Sequence, residues 1–157
     1  MSEQALGSPL LRMAARAIAA LECVPYTLLA LPLRAAIAVV FWNSAMVKLD
    51  NWDTTLSLFS DEYGLPLLPP DLAADMALSI ELTTPVLLVL GLATRAAALV
   101  LIGMTTIIEV LVYPLAWPTH IQWAAMLLVL LCRGPGVLSL DYLVARGLRL
   151  PTGQIGR

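Results

Sequence analysis

Four long apolar stretches dominate the sequence, and they constrain the fold more than any other feature. They cover approximately residues 33–49, 72–92, 95–113 and 117–131. A helix of about 20 apolar residues crosses the hydrocarbon core of a bilayer, and such a helix satisfies its own backbone hydrogen bonds in lipid. The sequence therefore predicts an all-α integral membrane protein in which residues 1–157 form a single bundle of four transmembrane helices.

The composition argues against other classes of protein. Hydrophobic residues make up 60% of the chain and charged residues only 13%, whereas soluble domains have roughly 25% charged residues. A net charge of −2 provides no basic stripe for nucleic acid. Cys23 and Cys132 form no CxxC motif, so neither a disulfide scaffold nor a zinc ribbon is expected. A lipid bilayer is therefore the expected environment.

The N-terminal segment has the pattern of a short amphipathic helix. Ser8 and Pro9 are typical of an N-cap and a first helical residue. The apolar side chains that follow share one face, whereas Arg12 and Arg16 lie on another. This pattern predicts an interfacial helix over residues 9–23 that lies on the membrane. A solvated tail is the alternative.

Two further segments lie outside the predicted spans. Residues 50–71 are rich in proline and acidic residues, and they predict an outer loop with room for a short helix over the mouth of the bundle. Residues 140–148 follow Ser139, which is suited to cap a helix. We therefore expect a short C-terminal helix there.

The arginines predict how the chain is oriented. If four spans are threaded, all the arginines fall on one side of the membrane and Lys48 falls on the other. The arginines are Arg12, Arg16, Arg34, Arg95, Arg133, Arg146, Arg149 and Arg157. Cytoplasmic loops carry an excess of basic residues, so both termini are expected in the cytoplasm. Because the first predicted span is short, Arg34 and Lys48 are expected to extend from its ends towards the lipid headgroups.

Four ionisable side chains within the predicted spans lie at one depth: Lys48, Glu81, Glu109 and His120. Each lies 13 or 14 residues from the cytoplasmic end of its own helix. At about 1.5 Å per residue, all four are about 20 Å above that boundary. The spacing therefore predicts one polar layer in the outward half of the bundle, with one group from each helix.

Two interpretations of this layer are open. An ionised side chain at the bilayer centre costs about 2.5–3.5 kcal/mol, so such groups usually face the interior and mark functional sites. The first interpretation is a polar pocket that holds a quinone head group, a metal ion or a proton. The second is structural: Lys48 forms an ion pair with Glu81 or Glu109, and a neutral His120 helps to lock the bundle.

A metal site is one version of the first interpretation. Glu81, Glu109 and His120 together offer the mixed carboxylate and imidazole ligands that suit Fe, Mn or Zn. The sequence has neither an HExxH nor an ExxH spacing, and it has one histidine. The signal for a metal is therefore weak.

Three sequence motifs resemble the DoxX family, in that family's order and spacing. In the first, Ala45 replaces the expected glycine, and the matching residues are Arg34, Phe41, Ser44, Lys48 and Leu49. The second consists of Glu81, Leu90, Gly91, Leu92, Thr94 and Arg95. The third consists of Gly134, Pro135, Gly136, Ser139, Leu140 and Asp141.

The resemblance implies a four-helix protein of the bacterial inner membrane. The family is named after the small membrane subunit of an archaeal thiosulfate:quinone oxidoreductase, and its members are similar to membrane partners of redox or maturation systems. Lys48, Glu81 and Arg95 are implied as motif positions. Glu109 and His120 depend on the depth argument alone.

The motifs also predict a structural clamp at the cytoplasmic ends of the helices. Asp141 follows the turn at residues 134–136, so it can return to Arg95 or to Arg34. Ion pairs of this kind are common at helix ends. We therefore expect these three residues to stabilise the bundle and not to carry chemistry.

The leading functional hypothesis is a small membrane subunit that binds a quinone or a similar molecule beside Lys48, Glu81, Glu109 and His120. It would serve a partner protein, an oxidoreductase or a maturation enzyme, as a non-catalytic subunit. A lysine or a histidine can donate a hydrogen bond to a quinone carbonyl, and a carboxylate can exchange its protons.

Two other functions remain open at this point. Transport of a proton, a metal ion or a small solute is the first. The second is a non-catalytic scaffold that docks a partner protein through the acidic loop and its aromatic residues Trp52, Phe59 and Tyr63. Small residues from Ala96 to Gly103 are compatible with a homo-oligomer and with close packing inside one chain.

Overall fold

The computed structural model describes residues 9–149, and this part of the chain is helical without a strand. The helices are α1 (Pro9–Glu22), α2 (Tyr26–Asp50), α3 (Trp52–Ser57), α4 (Pro70–Leu90), α5 (Thr94–Ile107), α6 (Trp117–Arg133) and α7 (Leu140–Gly147). Two π-helical turns, Leu58–Tyr63 and Ile108–Val112, continue α3 and α5. The predicted N-cap Ser8 and the terminal Arg157 lie outside the described residues.

Three of these helices are long and apolar enough to cross a membrane. They are α2, α4 and the continuous helix Thr94–Val112 that α5 forms with its π-helical turn. Their outward faces expose large apolar side chains, among them Val39, Val86 and Leu99. Helices that are apolar on their outer faces as well as their inner faces are typical of membrane spans. The protein is therefore a membrane protein. Helix α6 has 17 residues and packs against α2 and α5.

The short helices lie where the sequence predicts them. Asn51 caps α3, because its side chain accepts a hydrogen bond from the Thr54 N–H at 3.0 Å. Ser139 caps α7 in the same way, by accepting from the Tyr142 N–H at 3.2 Å. The helix in the loop and the C-terminal helix are thus confirmed. Helix α1 has no buried residue, and its position on a membrane stays a prediction.

Helix α2 begins earlier than the hydropathy of the sequence indicates. It starts at Tyr26, where the predicted span starts near Leu33, and it contains Pro32. Arg34 therefore lies inside the helix, and only 3% of its surface is exposed. The prediction that Arg34 extends to the lipid headgroups is wrong, because backbone carbonyl groups of neighbouring segments bind its guanidinium inside the protein.

Helices α2, α4, α5 and α6 pack in a ring around a common core. Helix α2 contacts α4 and α6, and α5 contacts the same two helices. The core contains the fully buried side chains Ile37, Leu88, Leu101 and Leu127. We call the end of the ring where α4 and α6 end, with the segments 91–95 and 134–141, the arginine end.

Arg34 joins three segments at the arginine end. Its Nε donates a hydrogen bond to the Leu88 carbonyl at 2.6 Å, and its Nη2 donates to the Val89 carbonyl. Its Nη1 donates to the carbonyls of Pro135 and Leu138 at 3.2 and 2.9 Å. One guanidinium thus connects α2 with the end of α4 and with the segment between α6 and α7.

Asp141 caps α5 from a distant part of the chain. Its carboxylate accepts hydrogen bonds from the N–H groups of Ala93 and Thr94 at 2.7 and 3.0 Å. A helix N-terminus has free N–H groups and a partial positive charge, so a carboxylate is stabilising there. The Asp141 N–H in turn donates to the Gly91 carbonyl at 2.9 Å.

The predicted clamp therefore forms without its predicted ion pair. Asp141 pairs with N–H groups of the α5 N-terminus, and the described contacts include no salt bridge from it to Arg34 or Arg95. Arg95 instead donates weakly to the Cys132 carbonyl at 3.4 Å. Backbone groups replace the arginines as partners because they lie closer and are otherwise unsatisfied.

Gly91 lies where all three sequence motifs meet. Its φ is +66°, and a Cβ atom there would lie 2.5 Å from Ser139 Cβ and 2.7 Å from Arg34 Nη2. Both the left-handed backbone and the close contacts require glycine. The motif residues at the arginine end are thus explained by the packing of α2, α4 and the 134–141 segment on one another.

Candidate functional site

A mostly apolar cavity of about 430 Å³ lies at the end of the bundle opposite to the arginine end. Helices α2, α4, α5 and α6 form its walls, and residues 59–68 contribute side chains from the loop. The apolar lining includes Val40, Phe41, Ile80, Met104, Ile108 and Trp123. The polar lining consists of Ser44, Lys48, Tyr63, Glu81, Tyr113 and His120.

Lys48 and Glu81 form an ion pair in the wall of this cavity. The Lys48 Nζ lies 2.9 Å from Glu81 Oε1 and 2.8 Å from Oε2. Both residues are buried, since only 8% of Lys48 and 2% of Glu81 is exposed. Ser44, one turn before Lys48 on α2, accepts a hydrogen bond from Nζ at 2.9 Å and donates to Oε1 at 3.0 Å.

The two oxygens of Glu81 differ in how well they are satisfied. Oε1 accepts hydrogen bonds from Ser44 and Lys48. Oε2 is attracted electrostatically by Nζ, but no donor in residues 9–149 makes a hydrogen bond to it. A buried carboxylate oxygen without a donor is costly. The Lys48 ammonium 2.8 Å away offsets this cost, and the oxygen itself is buried from solvent.

Glu109 and His120 form a second pair, between the π-helical turn after α5 and the start of α6. His120 Nδ1 lies 2.6 Å from Glu109 Oε2. His120 lines the cavity and packs on Trp123, with ring centroids 5.1 Å apart. The carboxylate fixes the orientation of the imidazole through Nδ1, which leaves Nε2 as the ring nitrogen for a ligand. Glu109 itself is not among the lining residues.

The four residues of the predicted polar layer thus form two pairs, Lys48 with Glu81 and Glu109 with His120. Lys48, Glu81 and His120 contact one cavity, while Glu109 lies behind His120. Lys48 takes Glu81 as its partner, one of the two that the sequence left open. Lys48 also does not extend from a helix end to the headgroups, as the sequence indicated, because Glu81 and Ser44 bind it inside.

The three candidate metal ligands are not brought together. Within residues 9–149, no three His, Cys, Asp or Glu side chains form a group that could hold a metal ion. Glu81 pairs with Lys48, and only Glu109 and His120 are in contact. The donor set expected for Fe, Mn or Zn therefore does not exist in this arrangement.

Two tyrosines in the cavity were missed by sequence reasoning. The Tyr63 ring packs on Phe59 and Tyr113, with centroids 4.5 and 5.8 Å away, and the Tyr113 hydroxyl donates to Glu62. Burial raises the pKa of Tyr63, and the charge of Glu81 raises it further. Both phenols stay protonated at neutral pH, since burial and the Glu62 hydrogen bond also raise the pKa of Tyr113.

No signal in the sequence alone indicates that these two tyrosines line the cavity. Tyr113 ends a predicted span, where an interfacial aromatic residue is ordinary. Tyr63 lies in the acidic loop, and it reaches the cavity because Phe59 packs on Ala73, Ala74 and Ala77 of α4. Phe59 is 3% exposed, so this ring belongs to the interior and is not available to dock a partner protein.

A protein-family model tests the family resemblance that the sequence motifs indicate. The model named DoxX matches residues 29–114, which is more than half of the chain. The chain belongs to the DoxX family. The matched region includes Arg34, Lys48, Glu81 and Arg95, and the predicted membership is confirmed. In this DoxX protein, His120 and the 134–141 motif lie beyond the matched region.

The other comparisons add no relative. No curated protein and no solved structure matches this DoxX protein. Its activity must therefore be inferred from the cavity. A cation, a carboxylate and an imidazole at the polar part of an apolar cavity can bind a molecule that is largely apolar but carries oxygen atoms that accept and donate hydrogen bonds.

Proposed function

We propose that this DoxX protein is a small subunit of the bacterial inner membrane that binds a quinone in the 430 Å³ cavity and serves a partner oxidoreductase. One observation carries the proposal. The buried Lys48–Glu81 pair contacts a cavity whose remaining lining is mostly apolar. Small-molecule sites commonly have this composition, with a few polar groups that fix orientation in an apolar pocket.

The two members of the pair suit the two redox states of a quinone. The Lys48 ammonium can donate a hydrogen bond to a quinone carbonyl, which only accepts. The Glu81 carboxylate, which lines the cavity, can accept from a quinol hydroxyl. His120 and the protonated Tyr63 can bind the other oxygen of the head group. An apolar substituent would contact Phe41, Ile80 and similar side chains.

The proposed membrane arrangement extends the three candidate spans to four. Helix α6 runs antiparallel to α5 and carries His120 at the depth of the cavity, so we place it across the bilayer as well. The arginine end then faces the cytoplasm together with both termini, in accordance with the excess of arginines there. The cavity lies in the outward half of the membrane, where a lipid-soluble quinone is accessible.

Co-purification of a quinone tests this function. The protein is purified in mild detergent, and quinone is extracted and quantified per chain for the wild type, Glu81→Gln and Thr83→Val. Thr83 is exposed on the same helix, so its variant is a matched control. We expect bound quinone in the wild type and the control, and about a tenfold loss in Glu81→Gln, as removal of a charged hydrogen-bond partner typically causes.

Two outcomes would contradict the proposal. The first is a wild-type protein that carries no quinone even after exogenous quinone has been added before purification. The second is Glu81→Gln with wild-type quinone content. Elemental mass spectrometry on the same samples gives a third check. A stoichiometric metal that is present in the wild type and lost in Glu81→Gln would show that the site binds a metal ion instead of a quinone.

A further inference from the structure

One exposed face of α2 carries a polar side chain that has no hydrogen-bond partner within the described part of the chain. Ala36, Val39, Asn43 and Val47 recur at helical spacing and are all exposed. The Asn43 carboxamide makes no hydrogen bond within residues 9–149. It lies on the opposite side of α2 from Lys48, well inside the span Tyr26–Asp50. If α2 crosses the bilayer, this amide faces lipid, where polar groups have no partner.

A groove lies beside Asn43. It has a volume of about 330 Å³ and is formed by the outer faces of α2 and α4. Its lining is apolar apart from Asn43, and it includes Ala35, Val39, Trp42 and Val86. Small side chains let helix backbones approach closely in membranes, and asparagine forms hydrogen bonds between helices. The face therefore has the properties of a helix-packing surface.

We propose that this α2 face is an interface between two copies of the chain. The two α2 helices would pack in parallel across a two-fold axis along the membrane normal, since both copies have the same orientation in the membrane. Asn43 then meets Asn43 of the second copy. A carboxamide has both a donor and an acceptor, so two of them satisfy each other across a symmetric, isologous contact.

This inference is independent of the proposed function. Ser44 and Lys48 direct the other side of α2 to the cavity, and Asn43 is not among the cavity residues. Pairing through Asn43 therefore leaves the cavity open and covers the groove between α2 and α4. A dimer that binds no quinone would support the interface alone, and a monomer that binds a quinone would support the proposed function alone.

Disulfide cross-linking in native membranes tests the geometry. The exposed Cys23 and Cys132 are first changed to serine. Val39→Cys and Leu128→Cys are then introduced separately, because Val39 lies one turn before Asn43 on the same face, and Leu128 is exposed on α6 at a similar distance from the arginine end. Mild oxidation is expected to link Val39→Cys chains into dimers and to leave Leu128→Cys chains monomeric. Absence of a cross-link at position 39, or equal linking at both positions, overturns the proposal.

The strength of association gives a second test that does not need an engineered cysteine. In lipid bilayers, the dissociation constant of the dimer is expected to rise about tenfold in Asn43→Leu, the size expected for one lost interhelical polar contact. Asn43→Gln, which keeps a carboxamide, is expected to recover part of this loss. A wild-type protein that is monomeric in bilayers at every concentration overturns the proposal and would assign this face to a different protein.

Discussion

Replacing Arg34 with methionine is expected to destabilise the protein by about 3 kcal/mol or more, because each hydrogen bond to a charged group contributes roughly 1.5–3 kcal/mol. The buried guanidinium donates to carbonyls of Leu88, Val89, Pro135 and Leu138. Methionine supplies none of these donors, so all of these hydrogen bonds are lost. The connection between α2, the end of α4 and the 134–138 segment is therefore expected to be lost.

Thermal unfolding in detergent, followed by size-exclusion chromatography after heating, measures this effect. Arg34→Lys is expected to remain clearly destabilised, because one ammonium cannot reproduce the planar fork of a guanidinium. Arg146→Met is the control, since Arg146 is exposed on α7 and surface substitutions usually change stability by less than about 0.5 kcal/mol. Equal stability of Arg34→Met and Arg146→Met would contradict the assigned role of Arg34.

Lys48→Met is expected to destabilise the protein by about 3–5 kcal/mol, the usual effect of breaking a buried ion pair. Glu81 is 2% exposed, so without Lys48 it must stay ionised without a partner or take up a proton. Both alternatives are costly in an apolar environment. Ser44 alone would still donate to the carboxylate, which is not enough to replace a charge.

A double variant measures the interaction between Lys48 and Glu81. Lys48→Met combined with Glu81→Gln removes both charges, and we expect this double variant to recover most of the stability lost in Lys48→Met. The comparison uses both single variants and the double variant, because the interaction energy is the difference from additivity. Additive losses in the double variant would show that Lys48 and Glu81 do not stabilise each other.

Hydropathy and charge were sufficient to predict the helical fold. The apolar stretches near residues 72–92 and 95–113 correspond closely to α4 and to α5 with its π-helical turn. The start of α2 could not be predicted, because a charged residue in an apolar run is normally placed at a helix end. Arg34 lies inside α2 only because carbonyls of two other segments, the end of α4 and residues 135–138, surround it, and such contacts have no local signal.

The sequence was sufficient to identify most polar residues of the candidate site, but not how these residues pair or what shape the cavity has. Counting residues from the helix ends places Lys48, Glu81 and His120 at one depth, and all three line the cavity. Depth gives no information on rotation about the helix axes, so it could not distinguish Glu81 from Glu109 as the partner of Lys48. Tyr63 reaches the cavity through the packing of its loop on α4, which depends on the tertiary fold.

Direct titration with a quinone tests the central claim that the Lys48–Glu81 pair binds it. A short-chain benzoquinone is added to the purified protein, and binding is followed by quenching of the cavity residue Trp123, with Trp123→Phe to identify that signal. We predict saturable binding at one site per chain and at least about tenfold weaker binding in Lys48→Met/Glu81→Gln, since two charged contacts are lost. Equal affinity in the wild type and in the folded double variant would contradict the account.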